Sequence, residues 1–227
     1  MNYDLPTIIC AVLAFIPALV LHEVAHGFAA YKLGDPTAKS KGRLSLNPLK
    51  HVDPFGTVIL PLCLLAMNMP MFGYAKPVPY NPAYFEDPRK GDLVVGLAGP
   101  LANLAQAVAG AAVAAALYFA LPAGQLLVTS TLFYYVFLVF LPFYVMTNLC
   151  LLFFNILPIP PLDGSSIWAF FLPRKYMHVY YKIQQYAMLI LIVLLVLLPA
   201  MLPQLNIIGW YMDVTAGNLF NLLYAWM

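Results

Sequence analysis

Apolar residues in this 227-residue chain fall into long runs separated by short polar stretches. Crossing the roughly 30 Å hydrocarbon core of a bilayer takes about 20 apolar residues in a helix. The first run that meets this length extends from about Leu5 to Tyr31, with Pro17 and Gly27 inside it. A second, from about Asp92 to Leu121, is crowded with Ala and Gly; a third, from about Ser130 to Leu157, is rich in aromatics; a fourth covers about Ile183 to Leu202. A shorter apolar stretch, Phe55 to Phe72, follows the first run and is interrupted by Pro61, Asn68 and Pro70. The tail after Pro203 is apolar but punctuated by Asn206, Asp213, Gly217, Asn218 and Asn221, which predicts an interfacial helix or a partly buried cap. The pattern predicts an all-α polytopic membrane protein of about five transmembrane helices, the short stretch forming a re-entrant or interfacial hairpin. One membrane-embedded domain is expected over 1–227, with a core over 5–172 and a C-terminal helix plus interfacial tail over 183–227.

Composition agrees. The chain is 63% hydrophobic and 9% charged, against about 25% charged in a soluble domain. A soluble secreted enzyme is excluded, and the expected surroundings are membrane lipid. A net charge of +2 gives no reason to expect a nucleic-acid partner. Cys10, Cys63 and Cys150 sit in apolar surroundings without CxxC spacing, so they are expected to be small buried hydrophobes. No basic residue precedes the first apolar run, which ends in ionisable residues, so a cleaved signal peptide is not expected.

The basic residues predict the orientation, because Lys and Arg accumulate in cytoplasmic loops. Lys32, Lys39, Lys41, Arg43, Lys50, Lys76, Arg89 and Lys90 lie between the first run and the Ala/Gly-rich one. Arg174, Lys175 and Lys182 follow the aromatic-rich run and complete the 11. All fall on one side only if the Phe55–Phe72 stretch makes no net crossing.

Chemistry enters with His22-Glu23-Val24-Ala25-His26, an HExxH sequence inside an apolar helix. Residues four apart stand one turn above each other, so both imidazoles leave the same face. Two nitrogen ligands at that spacing can grip one Zn²⁺, with Glu23 beside them to take a proton from water. Each ionised group at bilayer depth costs about 2.5–3.5 kcal/mol on insertion scales, which is tolerated where the groups line a polar cavity or bind an ion.

A catalytic zinc usually takes three protein ligands. Asp163 lies in Asn155-Ile156-Leu157-Pro158-Ile159-Pro160-Pro161-Leu162-Asp163-Gly164, on the same predicted side as the histidines. The prolines should end the preceding helix near Leu157, and an extended segment with a sharp turn at Gly164 could return Asp163 to the site. His51, Asp53 and His178 are competing candidates. Glu86, Asp87 and Asp92 look like a wet, charged loop.

HExxH in the first span together with Leu162-Asp163-Gly164 after a later one resembles the site-2 protease family of intramembrane metalloproteases. Gly99-Pro100-Leu101-Ala102-Asn103 is similar to that family's GPxxN motif, and Asn155 matches the asparagine it places near the scissile carbonyl. Residues 47–56 (NPLKHVDPFG) and 73–82 (GYAKPVPYNP) resemble the compact prokaryotic branch without a PDZ domain. The resemblance covers roughly Leu13 to Trp168. It implies a zinc endopeptidase acting on transmembrane proteins in a prokaryotic inner or plasma membrane, its active site toward the cytoplasm. It further implies His22, His26 and Asp163 as ligands and Glu23 as general base. Asn155 is expected in a catalytic role and Asn103 in substrate binding, as buried amides able to hold an extended backbone or an oxyanion. Gly96, Gly99, Ala102 and Ala105 keep small side chains at helical spacing, so a second helix can approach closely. Val58, Ile59 and Val78 are expected to form an edge for an unwound substrate.

Two other readings use the same residues. A divalent-metal transporter would need a polar through-path, for which the outer halves of the spans offer only Gln106, Gln125 and Thr129. A catalytically silent membrane-protein-binding relative would not need Glu23. The orientation has a direct test: single cysteines at Lys41 and Lys90, in a background without native cysteines, should label from the same, cytoplasmic, face. Opposite accessibility of the two sites would contradict the charge argument.

Overall fold

The structure, a computed structural model, describes residues 4–59, 63, 74–120, 131–202, 204 and 206–226. Helix α1 (Leu5–Lys32) begins where Asp4 accepts the Thr7 N–H at 3.2 Å and Pro6 occupies the first turn, where its missing N–H is not needed. It ends where Leu33 N–H bonds back to Ala29 and Ala30, and Gly34, at φ 99°, turns the chain aside. Asp35 is fully buried just beyond and accepts N–H groups from Thr37, at 2.8 Å, and Asn81, at 2.6 Å. Burial alone would raise its carboxyl, but the Thr37 hydroxyl, which also donates to it, and these two N–H groups outweigh that and hold it below the usual range.

Helix α2 (Pro88–Ala120) starts with Asp87 accepting the Arg89 and Lys90 N–H groups. Helix α3 (residues 131–156) contains a widened turn at Tyr135–Phe140 and stops at Ile156, ahead of Pro158, Pro160 and Pro161. Helix α4 (Asp163–Phe171) follows at once. Helix α5 (Arg174–Gln185) is bent by 65° from the start of α6 (residues 187–201), and α7 (residues 207–223) closes the order.

Helix α2 is the centre of the bundle, packed against α1, α3 and α4. Its buried face is built from small residues, including Gly91, Gly96, Gly99, Ala107, Gly110, Ala111 and Ala114, which let neighbouring backbones come close. Ala107 and Ala111 meet Val145, Leu149 and Leu152 of α3 and Ala216 of α7 in one cluster. The outer face of α1 exposes Leu5, Ile8, Ile9 and Val12, as a lipid-facing helix should.

The protein is thus an all-α polytopic membrane protein, with no strand among the described residues. Helices α1, α2 and α3 are long and apolar enough to cross a bilayer, and the α5–α6 pair makes a fourth if its bent halves form one span. That count, three or four, holds among the described residues; the Phe55–Phe72 stretch begins as a helical turn over Pro54–Ile59 and otherwise lies largely outside them. That turn also corrects the expected substrate edge: Val58 and Ile59 are helical, and Val78 lies in a segment, residues 74–81, without regular secondary structure. The tail is a partly buried cap, since Ala216 joins the core.

Candidate metal centre

His22 and His26 are both buried on the inner face of α1, with ring centroids 4.7 Å apart and planes at 84°. Their Nδ1 atoms are held by α2. Asn103 Oδ1 lies 2.5 Å from His22 Nδ1, and the Val95 carbonyl lies 2.7 Å from His26 Nδ1. Both oxygens can only accept, so both Nδ1 atoms donate and each Nε2 is left with a bare lone pair. The amide orientation of Asn103 is fixed in turn, because its Nδ2 donates to the Ala18 carbonyl at 3.1 Å and to Asn148 Oδ1 at 2.8 Å.

The two Nε2 atoms are 3.1 Å apart, and Asp163 Oδ2 lies 3.2 Å from one and 3.3 Å from the other. Oδ2 is buried with no hydrogen-bond donor of its own. Three converging lone pairs repel one another unless a cation lies between them. Ligands about 2.0–2.1 Å from a tetrahedral zinc stand about 3.3 Å apart, which matches this triangle. The residues present fit a zinc ion with three protein ligands and one open position. Among the described residues this is the group of His, Cys, Asp and Glu side chains able to hold a metal.

Two glycines make the approach possible. A Cβ at Gly99 would collide with both imidazoles, and one at Gly164 would collide with the Ile156 and Leu157 carbonyls. Gly164 therefore serves close packing at the start of α4 and not the sharp turn its sequence suggested.

Glu23 is half-buried beside the triangle, and its Oε2 accepts the Val78 N–H at 2.9 Å. The segment carrying Val78 passes close to α1 because Gly27 has no side chain to meet Leu44 and Val78. Arg43 anchors the segment through the Lys76 carbonyl at 2.6 Å and the Pro77 carbonyl at 3.3 Å. Burial and the charge of Asp92 push the Tyr80 hydroxyl up, which keeps it a neutral donor.

The competing ligand candidates are elsewhere. His51 is buried with Nε2 donating to the Ser45 carbonyl at 2.8 Å, Asp53 Oδ1 accepts the Phe55 and Gly56 N–H groups, and His178 is exposed against the Lys175 carbonyl. Asn155 is half-buried at the end of α3 and turns its amide nitrogen onto the Leu151 carbonyl of its own helix at 2.9 Å. Asn103 departs from its expected part in substrate binding. Fully buried, with oxygen and nitrogen both engaged, it stands behind His22 and has no face to offer a substrate. Sequence reasoning missed Asn148, whose only signal was a buried amide in an apolar span.

The profile of Peptidase family M50 matches residues 10–198, most of the chain. The chain belongs to peptidase family M50. This is the site-2 protease family that the HExxH, GPxxN and Asp-Gly motifs pointed to. Among M50 relatives, the chain is 37% identical over 194 residues to "Putative zinc metalloprotease YwhC" of Bacillus subtilis (strain 168), covering 86% of this chain and 83% of that protein. It is 30% identical over 210 residues to "Putative zinc metalloprotease Rip2" of Mycolicibacterium smegmatis, covering 90% and 73% respectively. The protein of that name in Mycobacterium tuberculosis (strain H37Rv) is 29% identical over 206 residues, covering 91% and 71%. No solved structure matches.

Because Asn103 sets the tautomer of His22, Asn103→Leu in this M50 chain should weaken zinc binding by about 10–100-fold while the helical content is retained. Competition against a zinc chelator, with circular dichroism as the control, reads this out. Unchanged zinc affinity would mean that His22 holds its tautomer without Asn103.

Proposed function

We propose that this protein is an intramembrane zinc metalloendopeptidase that hydrolyses peptide bonds of transmembrane proteins. The observation that carries the reading is the triangle of His22 Nε2, His26 Nε2 and Asp163 Oδ2, with sides of 3.1–3.3 Å and Glu23 next to it in the chain. Membership of family M50 and the printed names of its relatives as zinc metalloproteases support the same conclusion.

His22, His26 and Asp163 would hold the zinc. When bound, zinc supplies a Lewis acid that acidifies water and polarises a carbonyl. Glu23 takes the proton from the attacking water and delivers it to the departing amine, so that the carbonyl–nitrogen bond breaks with the proton accounted for. The Val78 N–H fixes one carboxylate oxygen of Glu23 and leaves the other for that transfer. Asn155, near the start of the segment leading to Asp163, would hold the substrate backbone in its catalytic role once turned from its own helix. A substrate helix has every backbone group satisfied internally, so it must unwind before cleavage. The segment around Val78, which lies beside Glu23, offers an unwound chain a neighbour.

We place the site toward the cytoplasm of a prokaryotic cell, the side on which all 11 basic residues fall if the Phe55–Phe72 stretch makes no net crossing.

Glu23→Gln keeps the shape and hydrogen bonding of the side chain but removes the base. It should retain zinc and lose cleavage of a single-span substrate by a factor of about 10²–10⁴. Cleavage and bound zinc measured on the same preparations decide the matter. Undiminished cleavage by the variant would show that Glu23 is not the base. Zinc moved across vesicles by native protein that cleaves nothing would favour the transporter.

A further inference from the structure

Arg89, half-buried at the start of α2, has no part in the chemistry above, yet its guanidinium reaches across to α4. Its Nη2 lies 3.1 Å from the Ala169 carbonyl, 2.7 Å from that of Phe170 and 2.6 Å from that of Leu172. These oxygens belong to the C-terminal end of α4, where no further turn of helix supplies donors. The other end of the same nine-residue helix is Asp163 itself.

So short a helix does not hold its place by its own hydrogen bonds, and its position depends on what it packs against. Here that is α2, at both ends. Near the start of α4, a Cβ on Gly96 would come within 3.3 Å of the Asp163 carbonyl and the Ser166 side chain, so the backbones sit in close contact. At the far end Arg89 grips the terminal carbonyls. Arg89, Gly96, Gly99 and Asn103 follow one another at intervals of seven, three and four residues, and so line one stripe of α2. That stripe touches every element of the metal triangle.

We propose that Arg89 is a positioning residue for Asp163. By fixing the far end of α4, it sets how that helix registers along α2 and therefore how Oδ2 stands against the two imidazoles. All three contacts are made by Nη2, which an arginine is long enough to carry from the start of α2 to the end of α4. The proposal rests on the reading of Asp163 as a zinc ligand.

A thermodynamic cycle on the full chain in detergent tests it, with zinc affinity measured by chelator competition and not by activity. The proteins are native, Arg89→Met, Asp163→Ala and the double variant. Arg89→Met should weaken zinc binding by about tenfold, the range expected when a partner that orients a metal ligand is lost. In the Asp163→Ala background the same substitution should change zinc affinity by less than about twofold, since Arg89 then has no ligand to position. Amides of α4 should exchange faster with solvent in Arg89→Met, while those of α1 should not.

Equal weakening in both backgrounds would overturn the proposal and leave Arg89 a general stabiliser. Unchanged affinity in a folded Arg89→Met protein would overturn it as well. Native zinc affinity in Asp163→Ala would remove the ligand assignment itself, and the proposal with it. If Arg89→Met does not fold, the cycle is run with Arg89→Lys. Lysine keeps the charge and the donors but reaches less far than Nη2, so a smaller loss is expected, still confined to the background that contains Asp163.

Discussion

The site depends on one hydrogen bond inside the bundle, from His22 Nδ1 to Asn103 Oδ1 at 2.5 Å. It holds the ring in the tautomer with a bare Nε2, and it requires Asn103 to be held the same way round. The Ala18 carbonyl and Asn148 meet that requirement, and Asn148 is itself tied to the Tyr144 carbonyl at 2.9 Å. Amides in an apolar interior are destabilising unless fully paired. This chain from Tyr144 through Asn148 and Asn103 to His22 is fully paired. It links α3, α2 and α1 through side chains that can take only one arrangement.

Helix α2 carries most of the consequences. Its Asn103 and Val95 carbonyl orient the two histidines, its Gly99 gives the imidazoles room, and its Gly96 receives the start of α4. The Ala- and Gly-rich composition of this span follows from those demands. A larger residue at 99 would occupy the space of the rings, and the ligand set could not close. Small residues also permit tight packing in a bilayer, where lipid offers little hydrophobic drive for helices to associate.

Much of this was legible in the sequence, and the gaps have physical reasons. The HExxH spacing gave the paired imidazoles because helical geometry fixes what four residues apart means. Run lengths gave α1, α2 and α3 to within a few residues, because bilayer thickness sets the length of a span. The bend between α5 and α6 was not legible, since Tyr186 falls in an unbroken stretch with no Pro or Gly to mark it. Asn103 was expected in substrate binding, and its place behind His22 was not legible. Whether an amide faces a substrate or a histidine depends on the rotation of α2, which its evenly small side chains do not reveal. The prolines after α3 showed that Asp163 could return to the site, and the family resemblance made it the expected ligand. His51, Asp53 and His178 were left as competing candidates, and only the fold shows His51 turned onto Ser45, Asp53 capping a turn and His178 against the Lys175 carbonyl.

The central claim is that the metal is held by two imidazoles and one carboxylate, oriented from behind by α2. Zinc-edge X-ray absorption on the purified protein tests it most directly. Two imidazole nitrogens and oxygen donors at about 2.0–2.1 Å are expected, with no sulfur in the coordination shell. A third imidazole, which would bring in His51 or His178, or a thiolate from any of the three cysteines, would contradict it.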